Sequence, residues 1–415
     1  MRVLHFNFLN PSVVLCIFLV GSIALAQEST EKEYLTGNWN GSRDSLQSKG
    51  LFISPRITFF NHNFVAGTGD NESVFSGKAE LGINYNGKQI GLSRWTLVTK
   101  AEYNFGDALF ATGNVLLPKN TAITFPGYTS GDRFDLSSVF LIYSWKPGNQ
   151  VLFGKINMVD LAAGTRFSGG AGIDAFWNLG FAAPASGITP PYILGAVTSL
   201  SGEKLDWTFM VYDPTSKVGE SCFDDPFKEG VTLSVSPSWD VKIGNSTGSH
   251  NIRLAYSTQD GTNLYNLGDI NLPFEPPLSD KKNRYYASYG FDQPLQKIDE
   301  DSEWGLFGQV AISDGNPNPL DWSFFIGIGG DSFLRNRSQD RWGLAVYNYS
   351  LSHIIDDKAD ELGTPLRNAE FAIETFYQYW VTNWFSIGAD VQVVKPIVEN
   401  SETAVLLGLR SSVKL

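Results

Sequence analysis

The sequence predicts an all-β fold: a closed antiparallel transmembrane β-barrel of about 16 strands, with a short N-terminal helix and inward-folded loops. Three observations carry this. In "WFSIGADVQVV" (384–394), Phe385, Ile387, Ala389, Val391 and Val393 alternate with Ser386, Gly388, Asp390 and Gln392, so one strand face is apolar and the other polar. Runs of this kind recur from Leu51 onward, and the gaps between them tend to alternate between short and long. After residue 26 no run of 18 apolar residues occurs, so a membrane role has to use strands.

The chain opens with an export signal. Arg2 supplies a short basic start, and Val13 to Leu25 is apolar apart from Cys16, Gly21 and Ser22. Ala24-Leu25-Ala26 offers cleavage before Gln27, so residues 1–26 are expected to be a signal peptide. Leu15 is too large to precede a lipoprotein cysteine at Cys16. Removing Arg2 takes the formal charge from −12 to −13 and leaves Cys222 as the lone thiol, so no internal disulfide is expected. The expected role of Cys222 is an inert loop thiol. Residues 27–50 are read as a periplasmic segment with a short helix between Asn40 and Lys49, capped by Asn40 or Ser42 and stopped by Gly50.

Residues 51–415 are read as the barrel. The expected strands are 51–61, 77–86, 93–104, 134–145, 150–157, 191–200, 203–212 and 229–237 in the first half. In the second half they are 249–258, 283–292, 302–312, 322–329, 340–350, 369–380, 383–394 and 403–415. Gaps 146–149, 201–202 and 381–382 are short, whereas 105–133, 158–190, 259–282 and 351–368 are long. Short turns at one end and long loops at the other suit a chain threaded through an outer membrane; a soluble sandwich has no reason to sort its loops. In the last strand Leu415, Val413, Leu409, Leu407 and Val405 share one face, against Lys414, Ser412, Arg410 and Gly408, a pattern similar to an outer-membrane assembly signal. Trp95, Tyr103, Tyr143, Trp145, Trp304, Trp342, Tyr379 and Trp384 fall near expected strand ends, where a ring can sit at headgroup level.

Charge narrows the function. The chain has 415 residues, 18% charged and 13% aromatic, and no basic face that would neutralise nucleic-acid phosphates. Strand phase places Arg56, Lys78, Lys100, Arg253, Arg341, Arg410 and Lys414 on the lumen face. The same phase places Glu80, Glu102, Asp206, Asp292, Glu370, Glu374 and Asp390 there. A phosphate pore would favour Arg and Lys, and a cation pore rings of Asp and Glu. A balanced wall suits a neutral polar solute, or serves only as salt bridges that stiffen the barrel.

A barrel of this girth holds an aqueous channel, so selectivity has to come from something folded into it. The gap after Met158 is rich in Gly, Ala and Pro and too apolar for water, so it is expected inside the barrel. Sugars present vicinal hydroxyls to a forked Arg or Asp and a C–H face to an aromatic ring. Arg166, Asp174 and Trp177, with Asp132 and Arg133 from the other long gap, form the candidate constriction set. Phe176 and Trp177 are alternatively anchors of the loop to the wall. No cofactor or metal is expected.

At these residues the sequence resembles the OprB-type carbohydrate-selective porin family. The stretches that carry the resemblance are "LTGNWNGSRDSLQSKG" (35–50), "GKIN" (154–157), "RFSGG" (166–170), "PYILGAV" (191–197), "SDGNPNP" (313–319), "DRWGLAVYNYS" (340–350) and the closing "ETFYQYW…DVQVV…GLR". The resemblance implies a sixteen-stranded bacterial outer-membrane porin passing glucose and related sugars through an Arg- and acid-lined constriction. The partners that follow are neutral sugars, outer-membrane lipid and lipopolysaccharide, and the barrel-assembly machinery, with a monomer or a trimer as the assembled state.

Other readings remain beside it: a non-selective small-solute porin, or a structural or adhesive barrel with a blocked lumen. Ser352-His353 lacks an acid fixed beside it in sequence for a hydrolase site. "DGNPNPLD" (314–321) lacks the Gly and Glu of a calcium loop and reads as a turn.

Overall fold

The computed structural model describes residues 32–110, 112–126, 133–185, 188–266, 280–299 and 302–415. The expected signal peptide and Asp132 lie outside them. The strands are β1 (Leu51–Ala66), β2 (Glu72–Asn86), β3 (Trp95–Gly106), β4 (Arg133–Lys146), β5 (Asn149–Asn157), β6 (Tyr192–Leu200), β7 (Asp206–Tyr212), β8 (Thr232–Ile243) and β9 (Ser246–Ser257). After the short pair β10 (Gly261–Thr262) and β11 (Asp280–Lys281) come β12 (Arg284–Lys297), β13 (Glu303–Ser313), β14 (Leu320–Asp331), β15 (Arg341–Leu351), β16 (Ala369–Thr382), β17 (Phe385–Lys395) and β18 (Ala404–Lys414).

All except β10 and β11 join one closed antiparallel barrel in which each strand pairs with its neighbours in sequence. The ring closes between β1 and β18, with Arg56 opposite Lys414 and His62 opposite Gly408. Closure removes the sheet edges that hydrocarbon cannot satisfy. Every expected strand corresponds to one barrel strand. The largest difference is β8, which continues past Pro237 to Ile243. Pro237 has no N–H to donate, and the ladder from β8 to β9 accordingly passes from Val235–Leu254 to Ser238–Asn251.

Up-and-down threading sorts the connections. Turns 87–94, 147–148, 201–205, 244–245, 298–302, 332–340 and 383–384 share one end with the start of β1 and the finish of β18. The long connections 107–132, 158–191, 213–231, 258–283 and 352–368 all leave the opposite end. The aromatic residues sort the same way. Trp95 and Tyr143 lie with ring centroids 4.8 Å apart and Trp304 and Trp342 5.9 Å apart, each pair tilted and all four at the short-turn end, whereas Tyr103 sits at the other.

Alternation holds in three dimensions. In β17, Ile387 and Val391 are exposed on the outer face, while Ser386, Asp390 and Gln392 are buried inside. In β18, Leu409 is exposed and Arg410 and Ser412 are buried. Outside the barrel, the helix Ser42–Ser48 lies where expected, but neither Asn40 nor Ser42 caps it. Gly41 occupies the cap with φ +87°, and the orphan N–H of Asp44 is taken by the Asn38 side chain at 3.1 Å.

Candidate functional site

The interior of the barrel is filled on one side by two loops. Each is built from short helical turns that begin at an asparagine: Asn120 accepts from the N–H groups of Ala122 and Ile123, Asn157 from Val159 and Asp160, and Asn178 from Gly180. The two loops join each other where Thr121 N donates to Trp177 O at 2.7 Å and Leu179 N to Pro118 O at 2.9 Å.

Their apolar side chains create a core inside the barrel. Phe167, Phe176 and Phe181 pack with Phe64, Phe307, Tyr347 and Phe376 from the wall. Fully burying one such ring contributes about 2 kcal/mol before ordering entropy is subtracted. The wall makes room with glycines: a Cβ on Gly408 would come within 2.6 Å of the Trp177 ring, and one on Gly343 within 2.6 Å of Phe176.

The polar wall residues hold the same loops. Arg56 grips Asp174 in a forked pair, Nη1 to Oδ2 at 2.8 Å and Nη2 to Oδ1 at 2.5 Å. Arg410 donates to the carbonyls of Gly172 at 3.2 Å and Ala175 at 2.6 Å. The Glu374 carboxylate accepts the N–H groups of Trp177 and, at 3.0 Å, Asn178. Glu370 accepts Leu117 N at 3.1 Å and the Tyr347 hydroxyl at 2.8 Å. On β2 and β3, Lys78 pairs with Glu102 at 2.7 Å, and Lys100 bridges Glu80 at 2.8 Å to Asp160 of the loop at 2.7 Å.

This changes the reading of the lumen face. Glu102, Glu370, Glu374, Asp390 and Arg410 point inward as their phase requires, but they are buried rather than bathed in channel water. Loop backbone groups replace the water that sequence phase alone would give Glu370, Glu374 and Arg410; Lys78 and the Tyr192 hydroxyl replace it for Glu102, and the Gln392 side chain for Asp390. Lys100 remains partly open, with a side chain 19% exposed, and Arg253 lies half-buried on the far wall.

The candidate constriction residues are not gathered at one point. Asp174 is held by Arg56 on β1. Trp177 is fully buried, edge-on to Phe60 at 5.2 Å and His62 at 5.3 Å, so neither ring face is open to a solute. Arg166 reaches the other way, to Glu303 on β13 and the carbonyl of Thr247 on β9 at 3.3 Å. Arg133 stands at the loop end of β4 with its guanidinium against Gly219. Asp132 lies outside the described residues.

The opposite wall is covered only in part, where Ile188 of the second loop packs with Ala255 of β9, Tyr286 of β12 and Ala311 of β13. Arg253 of β9, Tyr286 of β12, Gln309 of β13 and Phe325 of β14 face a cavity of about 390 Å³ whose other side is loop, including Phe125, Ser168 and Thr189. Tyr286, Gln309 and Thr189 were absent from the sequence-based set. The phase of β12 and β13 was legible, but nothing in sequence says which wall the loop leaves open.

Two remaining motifs resolve locally. Ser352 Oγ donates to Gly315 O and caps the helix His353–Glu361, while the exposed His353 lies 3.3 Å from Asp321, so the serine hydroxyl is engaged with backbone rather than with the imidazole. Asp314 spends one carboxylate oxygen on the N–H groups of Asn316 and Asn318, both at 2.9 Å, making 314–318 a turn.

The family model described as "Carbohydrate-selective porin, OprB family" matches residues 87–415. The opening motif at 35–50 lies ahead of that match. Among solved structures, the high-pH structure of Pseudomonas putida OprB superposes with a TM-score of 0.77 at 16% identity, covering 93% of this chain and 99% of that one. The low-pH structure of the same protein gives 0.55 at 14%, covering 94% and 100%. The outer-membrane channel DcaP of Acinetobacter baumannii gives 0.51 at 12%, covering 88% and 97%. These likenesses are likenesses of fold. No curated protein matches the chain.

Proposed function

The chain belongs to the carbohydrate-selective porin OprB family, and from that premise we propose that its loop-narrowed lumen passes sugars by passive diffusion across the bacterial outer membrane. Glucose and related monosaccharides are the expected solutes, and the protein acts as a channel rather than an enzyme. The observation that carries this reading is the division of the interior. One wall is committed to holding the loops through Arg56, Glu374 and Arg410, and the other faces an unfilled cavity.

A sixteen-stranded ring without such loops would be a wide aqueous hole with little to discriminate solutes. The fixed loops reduce it to a passage beside Arg253, Tyr286 and Gln309, where a polyhydroxylated solute meets hydrogen-bond donors and aromatic surface together. Arg166, with Glu303, stands at the short-turn side of this passage and would meet the solute as it leaves.

Liposome swelling with glucose, a disaccharide and an amino acid tests the proposal. Entry of glucose faster than an amino acid of smaller size supports sugar selectivity. Entry ranked by size alone leaves a non-selective porin, and no swelling leaves a blocked barrel.

A further inference from the structure

The inward cations differ in how they are held. Arg56, Lys78, Lys100 and Arg166 each contact a carboxylate, and Arg341 and Arg410 donate to loop carbonyls. Arg253 is held by neutral hydroxyls: Nε donates to Ser234 Oγ at 3.1 Å, and one Nη to Thr189 Oγ1 at 2.9 Å. Among the described residues it forms no ion pair. It nevertheless lines the cavity of about 390 Å³, beside the face of Tyr286, whose ring centroid lies 6.0 Å from its guanidinium carbon. Gln309 accepts the Tyr286 hydroxyl at 3.3 Å through Oε1, which leaves its amide NH₂ to donate to a solute.

Fixing a guanidinium by two hydroxyls orients it without neutralising it. A full positive charge then faces a partly desolvated cavity, where the effective dielectric is lower than in water and a counter-charge is favoured. We propose that Arg253 is the charge-reading residue of a subsite for one pyranose. The subsite holds a hexuronate more tightly than a neutral hexose of equal size, and an amino sugar more weakly. The carboxylate pairs with the Arg253 guanidinium, a ring hydroxyl takes the Gln309 amide, and the C–H face lies against Phe325 or Tyr286. The inference rests on the sugar-channel reading and adds a preference by charge within it.

Single-channel current in planar bilayers, blocked by added glucose, glucuronate or glucosamine, tests it. In the wild type, glucuronate is expected to half-block at a concentration roughly tenfold below that of glucose, the scale of one charge-assisted bond over a neutral one. Glucosamine is expected to be the weakest of the three. Raising the salt concentration narrows the spread, because a partly open ion pair is screened. Arg253→Gln equalises the three sugars, while Arg253→Lys keeps the order but weakens the preference, having the charge without the fork. Glucuronate no tighter than glucose in the wild type overturns the proposal while leaving the sugar channel standing, and needs no variant to fold. A preference that survives in Arg253→Gln also overturns it. Absence of block by every sugar overturns both.

Discussion

At the scale of single residues, the forked pair between Arg56 and Asp174 sets the position of the inward loop. Asp174→Ala removes charge-assisted bonds worth roughly 1.5–3 kcal/mol net. The expected result is a larger and noisier single-channel current. Arg56→Lys gives an intermediate change, since an ammonium cannot span both carboxylate oxygens. Burial alone would push the Asp174 carboxyl up, but Arg56, with help from Arg410 and Arg341, outweighs it and holds the group at about 2 against an ordinary 3.8. A depressed carboxylate contributes fixation at pH values above its unfolded value and loses it as pH falls through the folded one. The share of loop fixation that the Arg56–Asp174 pair supplies, read as the difference in current between the wild type and Asp174→Asn, is therefore expected to stay level from pH 7 to about 3 and to be lost below that. Loss of that difference in a transition centred near 4 would mean that Asp174 is unpaired. Strand phase made Arg56 legible as inward, and loop composition singled out Asp174. Their partnership was not legible, because 118 positions of chain separate them and only closure of the ring brings β1 over the loop.

At the scale of elements, period-two alternation revealed the strands because each face meets a different medium. Where the medium is neither lipid nor water, the same alternation misleads. Gln392 reads as a water-facing residue, yet it is fully buried, with Nε2 donating to Lys119 O at 2.9 Å. The inward loops have no period to read, since their turns start at asparagines and are too short for a helical stripe. Adjacent positions on β18 separate the two roles of a strand. Gly408→Leu drives a side chain into the Trp177 ring, displacing the loop while the barrel still closes. Conductance should rise, with heat-modifiable gel mobility unchanged. Leu409→Arg, one residue on, places a charge on the outer face and should cost roughly 2–4 kcal/mol near mid-bilayer. That cost is read as a lower urea midpoint, with conductance unchanged.

At the scale of the whole molecule, the fold divides labour around its circumference. Strands β1–β3 and β15–β18 hold the loops through charges and backbone bonds, β13 and β14 add Phe307 and Phe325 to the loop core, and Arg253, Tyr286, Gln309 and Phe325 of β9, β12, β13 and β14 line the cavity that remains. The outer surface presents exposed Leu254, Ile326, Leu344 and Leu409, a band suited to hydrocarbon. The purified chain is therefore expected to need detergent to stay dispersed. The closed ring was legible because local pairing of successive strands needs only short-range signals. The off-centre place of the cavity was not, because it depends on which wall the loops choose. The most direct measurement is single-channel conductance of the reconstituted protein titrated with glucose. The account predicts open channels whose current falls with added glucose and saturates, as a loop-narrowed passage with a binding step requires. Silent membranes, or a current that glucose lowers only in proportion to bulk conductivity, would contradict it.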